Sequence, residues 1–178
     1  NDILDLSKIE AGKTVISVSE FSTGDLASEM VHFFGTMAKN KGIELSVEDN
    51  LKTSITSDKD KISQILRNFV SNAIKFTRSG SVMVRVNDSG IPDRPVKLSV
   101  KDTGIGIDPA KHKMIFDAFS QVDSSISREF GGTGLGLTIS RQLAALLHGE
   151  IMVESEMGKG SEFSLVIPLV LLPHEGEI

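Results

Sequence analysis

Cysteine is absent from the chain, which excludes a disulfide framework and a thiolate metal site. That absence is compatible with a reducing compartment. No apolar run is long enough to cross a bilayer. The longest, Leu165 to Leu172, is broken by Pro168 and falls far short of the roughly 20 residues a spanning helix needs. Nothing at the start has the charged, apolar and small-residue succession of a signal peptide. Basic charge is not in excess either: 19 Lys and Arg face 24 Asp and Glu, a formal net charge of −5, which disfavours nucleic acid as the main partner. No internal repeat is visible. These features predict a cytoplasmic segment with no membrane contact of its own, and leave the anchoring of any parent protein open.

What remains is an ordinary folded composition, 39% hydrophobic and 24% charged, in a length that suits one domain with a small attachment. Ile3, Leu6 and Ile9 recur at three-residue steps with Leu4 alongside and Gly12 as a stop, so residues 1–12 read as the end of a helix. A helix already under way with no initiator Met predicts a fragment of something longer. Residues 13–172 read as one domain and 173–178 as a loose tail. Within the domain, Thr14–Phe21 alternates in part and predicts a strand. A helix is expected from about Thr23 to Lys39, with Leu26, Met30, Val31, Phe33, Phe34 and Met37 on its apolar positions. Strands are expected at Ile43–Val47 and Ser54–Ser57.

Asp58 can cap the next helix, about Lys59 to Thr77, whose stripe of Ile62, Ile65, Leu66, Phe69, Val70, Ala73 and Ile74 keeps the helical period throughout. Strands at Ser81–Asn87 and Val96–Asp102 flank a turn-rich hairpin loop. From Thr103 to Gly132 regular pattern fades, apart from a short helix after Pro109. A stretch of that length is functional or disordered. A helix over Leu137–Leu147 and strands at Glu150–Ser155 and Ser161–Ile167 complete the domain.

Four segments carry chemistry. Gln64, Asn68 and Asn72 are spaced by four on the long helix, with Lys75 three further on. An amide oxygen is a hard ligand suited to Mg²⁺, which keeps several waters and takes phosphate oxygens. Lys75 would add positive charge near phosphates. Read alone, these are solvated helix residues. Asp102 ends a strand and precedes Thr-Gly-Ile-Gly. A carboxylate there can accept from an adenine amino group, and Gly104 and Gly106 let backbone approach a flat base. Alone, the segment is a tight turn. Gly131–Gly136 opens a helix and can form an anion site for a triphosphate. It is not a P-loop, because no Gly-Lys-Ser/Thr ends it, and not a dinucleotide fingerprint, because no strand directly precedes it. Its bland reading is a hinge. Gly158-Lys-Gly160-Ser161 alone is a hairpin loop.

In their order and spacing these segments resemble the catalytic, ATP-binding domain of two-component sensor histidine kinases of the hybrid type, within the wider gyrase, Hsp90, kinase and MutL (GHKL) superfamily. Gln64-Ile-Leu-Arg-Asn68-Phe-Val-Ser-Asn72-Ala-Ile-Lys75-Phe-Thr77 resembles the asparagine box, Asp102-Thr-Gly-Ile-Gly106-Ile the first glycine box and Phe116-Asp-Ala-Phe119-Ser-Gln the phenylalanine box. Gly132-Thr-Gly134-Leu-Gly136-Leu and Gly158-Lys-Gly-Ser161 resemble the later glycine boxes.

The resemblance implies an α+β fold. It would be a two-layer α/β sandwich in which a mixed, mostly antiparallel sheet is covered on one face by about three helices, with a mobile ATP lid over about 108–132. Asn72 would ligate Mg²⁺ with Asn68 beside it, and Lys75 would approach the phosphates. Asp102 would read the adenine amino group, with Gly104, Gly106 and Ile107 lining the base pocket. Thr133, Gly134, Leu135 and Gly136 would hold phosphates. Arg128 in the lid is the candidate for the γ-phosphate. Phe116 and Phe119 would anchor the lid, a role core packing matches equally. Ser161 stands where the family often has threonine and keeps the hydroxyl.

Related gyrase-type and mismatch-repair ATPases carry a water-activating glutamate at the position of Asn68. An amide cannot take that proton, so hydrolysis is expected to be slow, and catalysis to rest on positioning and charge neutralisation. The implied activity is transfer of the ATP γ-phosphate to a histidine on a dimerisation domain, for relay to a receiver aspartate in a response regulator. The parent would be a homodimer, and residues 1–12 the remnant of its second dimerisation helix. None of His32, His112, His148 and His174 sits in an acceptor-like helical context, so the acceptor would be supplied in trans. The rivals are a degenerate nucleotide-binding module that docks on other kinases, and a serine kinase of the anti-sigma type.

Overall fold

The computed structural model describes residues 15–108 and 136–172. In chain order the elements are β1 (Ser19–Ser22), α1 (Thr23–Lys41), β2 (Ile43–Asp49), β3 (Ser54–Ser57), α2 (Lys59–Phe76), β4 (Gly80–Asp88), β5 (Val96–Asp102), α3 (Gly136–Leu146), β6 (Glu150–Glu156) and β7 (Gly160–Ile167). Five strands form one sheet in the order β2-β4-β5-β7-β6. Only β2 and β4 run parallel; the other pairs are antiparallel. A small ribbon pairs β1 with β3, and Thr56 extends it by a parallel bridge to Val170.

Alternation explains the layering. Val82, Val84 and Val86 of β4, Leu98 and Val100 of β5, and Phe163, Leu165 and Ile167 of β7 all enter one core with the buried stripes of the helices. Their neighbours Met83, Arg85, Lys97, Lys101 and Glu162 lie on the other face. This is the mixed sheet backed on one side by three helices among the described residues. All seven apolar positions expected on α2, Ile62 through Ile74, are buried. Each long helix starts on a side-chain cap: Ser22 accepts from the Asp25 N–H at 3.0 Å and Asp58 from the Lys61 N–H at 3.2 Å.

Three expectations change. Residues 15–18 are not strand, and Val15 is 78% exposed, because β3 offers only four residues to pair with and the ladder begins at Ser19. Phe33 and Met37 are exposed. The buried face of α1 is centred on Ala27, Met30, Phe34 and Ala38, which leaves Phe33 and Met37 toward its edge. The Arg67 guanidinium then lies 5.8 Å from the Phe33 ring centre. Third, β2 runs on to Asp49, because its backbone ladder with β4 continues to the Asp49–Val86 pair whatever the side chains. The expected segments 1–12 and 173–178 lie outside the described residues, as does the lid beyond residue 108.

Candidate functional site

The helix-facing stripes of three strands turn polar at one end of the sheet. Leu98 and Val100 are followed on β5 by Asp102. Ile151 and Val153 on β6 are followed by Ser155. On β7, Ser161 precedes Phe163 and Leu165. Ser161 pairs with Ser155 across β6–β7, and its N–H is donated to Asp102. Three polar side chains thus form the floor of a site where the core alternation predicts apolar ones.

Asp102 is 5% exposed. Burial raises its pKa above the ordinary value near 3.8, and hydrogen bonds from the Gly104 and Ser161 N–H groups only partly oppose that. Both donors fall on Oδ1, at 2.9 and 3.2 Å. Oδ2 accepts nothing from the described residues. The carboxylate is therefore held in place through one oxygen and offers the other.

The loop after Asp102 is stitched to every neighbouring element. The Thr103 N–H is donated to the Ser81 carbonyl at 3.1 Å, and the Ile105 N–H to the Phe76 carbonyl at 3.1 Å. The Gly158 N–H reaches the Ile105 carbonyl at 2.8 Å, and the Ile107 N–H reaches Ser155 Oγ at 2.7 Å. A Cβ on Gly104 would stand 2.3 Å from the Phe76 carbonyl oxygen. One on Gly106, whose φ is +73°, would stand 2.1 Å from that of Glu156. The first need for both glycines is thus the chain's own close-packed backbone.

One rim is α2. Asn68, Asn72 and Lys75 are half-buried along it. Asn68 Nδ2 donates to Ser140 Oγ of α3 at 3.0 Å, which leaves its Oδ1 outside that bond. Asn72 makes no hydrogen bond to a described residue. The C-terminal carbonyls of α2 are shared out: Lys41 Nζ donates to those of Ile74 and Lys75 at 2.6 and 3.0 Å, while that of Phe76 takes Ile105. An ammonium there offsets the negative pole of the helix. Gly136 is the first residue of α3. Thr133, Gly134, Leu135, Phe119, Phe116 and Arg128 lie outside the described residues. The structure therefore gathers Asp102, Gly104, Gly106, Ile107 and Ser161 at one end of the sheet, against the C-terminal end of α2, the helix that carries Asn68, Asn72 and Lys75. It adds Lys41, Ser140 and Ser155, which no spacing in the sequence marks.

These features coincide with a known family. Residues 57–171 match the histidine kinase-, DNA gyrase B- and HSP90-like ATPase family, and the chain belongs to it. Among the relatives it resembles are the autoinducer 2 sensor kinase/phosphatase LuxQ of Vibrio cholerae serotype O1, 41% identical over 97% of this chain, and the sensor protein GacS of Pseudomonas syringae, 43% identical over 95%. The chain spans 20% and 19% of their respective lengths. Full-length ShkA, solved in complex with AMPPNP, superposes with a TM-score of 0.85 at 32% identity, over 98% of this chain and 36% of that one. The nucleotide-free catalytic domain of histidine kinase ThkA superposes at 0.73 and 27% identity, over 86% of this chain and 99% of that one.

Proposed function

We propose that the chain is the ATP-binding catalytic domain of a sensor histidine kinase, which transfers the γ-phosphate to a histidine on a dimerisation domain for relay to a receiver aspartate. The observation that carries the reading is Asp102, a buried carboxylate anchored through Oδ1 with Oδ2 open at the polar end of the sheet. Ionised, it accepts only, which suits the amino group of adenine. The resemblance to named kinases favours this over a module that merely docks.

Asn72 and Asn68 suit a divalent cation by donor chemistry. Each carries an amide oxygen, that of Asn72 with no hydrogen bond among the described residues and that of Asn68 outside its Ser140 bond. Amide oxygens suit a cation that keeps several waters and takes phosphate oxygens as its other ligands, so the cation would arrive with the triphosphate. Bound Mg²⁺ would neutralise phosphate charge. Lys75 lies one turn beyond Asn72 and adds a positive charge on the same side. α3 begins at Gly136, directly after the glycine-rich segment in sequence, and a helix start is a suitable site for a phosphate. Asn68 cannot act as a base, so the chain's contribution is to hold and orient the nucleotide rather than to activate water. The dimeric parent, the receiver partner and a cytoplasmic location belong to the same proposal.

Calorimetry with AMPPNP, with and without Mg²⁺, tests the pocket. Phosphotransfer from ATP to a separately supplied helical hairpin bearing the acceptor histidine tests the reaction. Saturable binding strengthened by Mg²⁺ is expected. No binding under any ionic condition would remove the enzymatic reading.

A further inference from the structure

Ser155 occupies a place where β6 should bury an apolar side chain. It continues the stripe of Ile151 and Val153, both packed against the core. Its hydroxyl instead sits among three groups. It accepts from the Ile107 N–H at 2.7 Å, lies 3.2 Å from the Gly160 carbonyl oxygen and lies 2.8 Å from Ser161 Oγ. It therefore joins the loop after Asp102 to the turn that carries Ser161.

The bookkeeping of protons is restrictive. Ser155 has one proton, and the Gly160 carbonyl can only accept. The arrangement that satisfies all three contacts has Ser155 donating to Gly160 and Ser161 donating to Ser155. Ser161 has then spent its only proton and faces the site as an acceptor. Beside it stands Asp102, also an acceptor when ionised. Adenine presents an amino donor at the ring position where guanine presents a carbonyl acceptor. At that ring position an acceptor-only floor favours the first and opposes the second.

We propose that Ser155 is a positioning residue for base selection: by accepting the Ser161 proton and holding Ile107, it keeps the floor of the base pocket free of donors and so favours adenine over guanine nucleotides. This rests on the reading of Asp102 as the base-recognising carboxylate. Ser155 touches no base itself and acts through Ser161 and the Ile107 peptide.

The test measures binding of AMPPNP and GMPPNP to this chain for wild type and for Ser155→Ala, Ser155→Thr and Ser155→Val. Thr and Val have nearly the same shape, and only Thr keeps the hydroxyl. The preference for AMPPNP is expected to fall roughly tenfold in Ser155→Ala, the scale of one hydrogen bond. Part of that fall would come from stronger GMPPNP binding, because the freed Ser161 hydroxyl can donate to the guanine carbonyl. Ser155→Thr should keep the preference and Ser155→Val should lose it. A purely structural serine would weaken both nucleotides alike. An unchanged preference in Ser155→Ala, or equal behaviour of Thr and Val, overturns the proposal. If wild type binds neither nucleotide, the ATP-site reading fails first and takes this inference with it.

Discussion

The side-chain amide of Asn68 on α2 is donated to the hydroxyl of Ser140 on α3 across 3.0 Å. Ser140 is 2% exposed and Asn68 half-buried, so the contact is shielded on the Ser140 side. It ties the helix bearing both asparagines to the helix that begins at Gly136. Ser140→Ala should free the Asn68 amide to rotate. The Mg²⁺ concentration needed for half-maximal AMPPNP binding is expected to rise several-fold, with Mg²⁺-free affinity unchanged. Stability should drop by about 1 kcal/mol. A calorimetric Mg²⁺ series checks the first and urea unfolding the second. An unaltered Mg²⁺ dependence would detach Ser140 from the cation.

Asn72 offers the opposite case, a half-buried amide with no described partner to lose. Asn72→Ala is expected to change stability by less than about 1 kcal/mol, yet to remove the Mg²⁺-dependent part of nucleotide affinity and the phosphotransfer. Thermal unfolding and binding measured on the same preparation separate the two effects. Retained Mg²⁺-dependent transfer would count against the assignment.

The buried Asp102 makes pH a double readout. Its folded pKa lies above the ordinary 3.8, so the folded chain keeps this proton to a higher pH than the unfolded chain. The contribution of Asp102 to stability therefore declines as pH climbs from about 3.8 through the raised value. Nucleotide affinity moves the other way, because the ionised carboxylate is the stronger acceptor and a proton on Oδ2 would present a donor to the amino group. Asp102→Asn should abolish this component of the stability profile and weaken AMPPNP binding by about tenfold or more. Unchanged affinity would remove Asp102 from the base pocket.

Two glycines should respond in opposite senses. Gly106→Ala combines a left-handed φ with a Cβ 2.1 Å from the Glu156 carbonyl, and is expected to cost more than about 2 kcal/mol. Gly35, inside α1, would place its Cβ within 4 Å of nothing, and Gly35→Ala should stabilise by about 0.5–1 kcal/mol. Denaturant unfolding of both variants, side by side, decides the point.

Legibility followed periodicity. The long stripe of α2 and the β3 and β5 boundaries could be read directly, because side-chain alternation there coincides with the core. Failures came where a partner decides. Ile16 and Val18 alternate like a strand but meet no ladder, and Phe33 and Met37 keep the helical period yet lie toward the edge of the face that α1 buries. At the site, Asp102 stood out as a carboxylate at a strand end before glycines. Ser155 keeps the inward alternation of Ile151 and Val153, but a serine between Glu154 and Glu156 shows no chemistry until β7 and the Ile107 loop are folded beside it. Lys41 is equally silent until α1 brings it to the end of α2.

The bridge between Thr56 and Val170 puts the last described segment alongside β3, while β1 flanks the other edge of the same strand. Entry and exit of the described domain thus share one corner. Any tether or lever attached through both segments would grip a single handle, and the nucleotide pocket could be carried about as a rigid load without its floor being pulled apart.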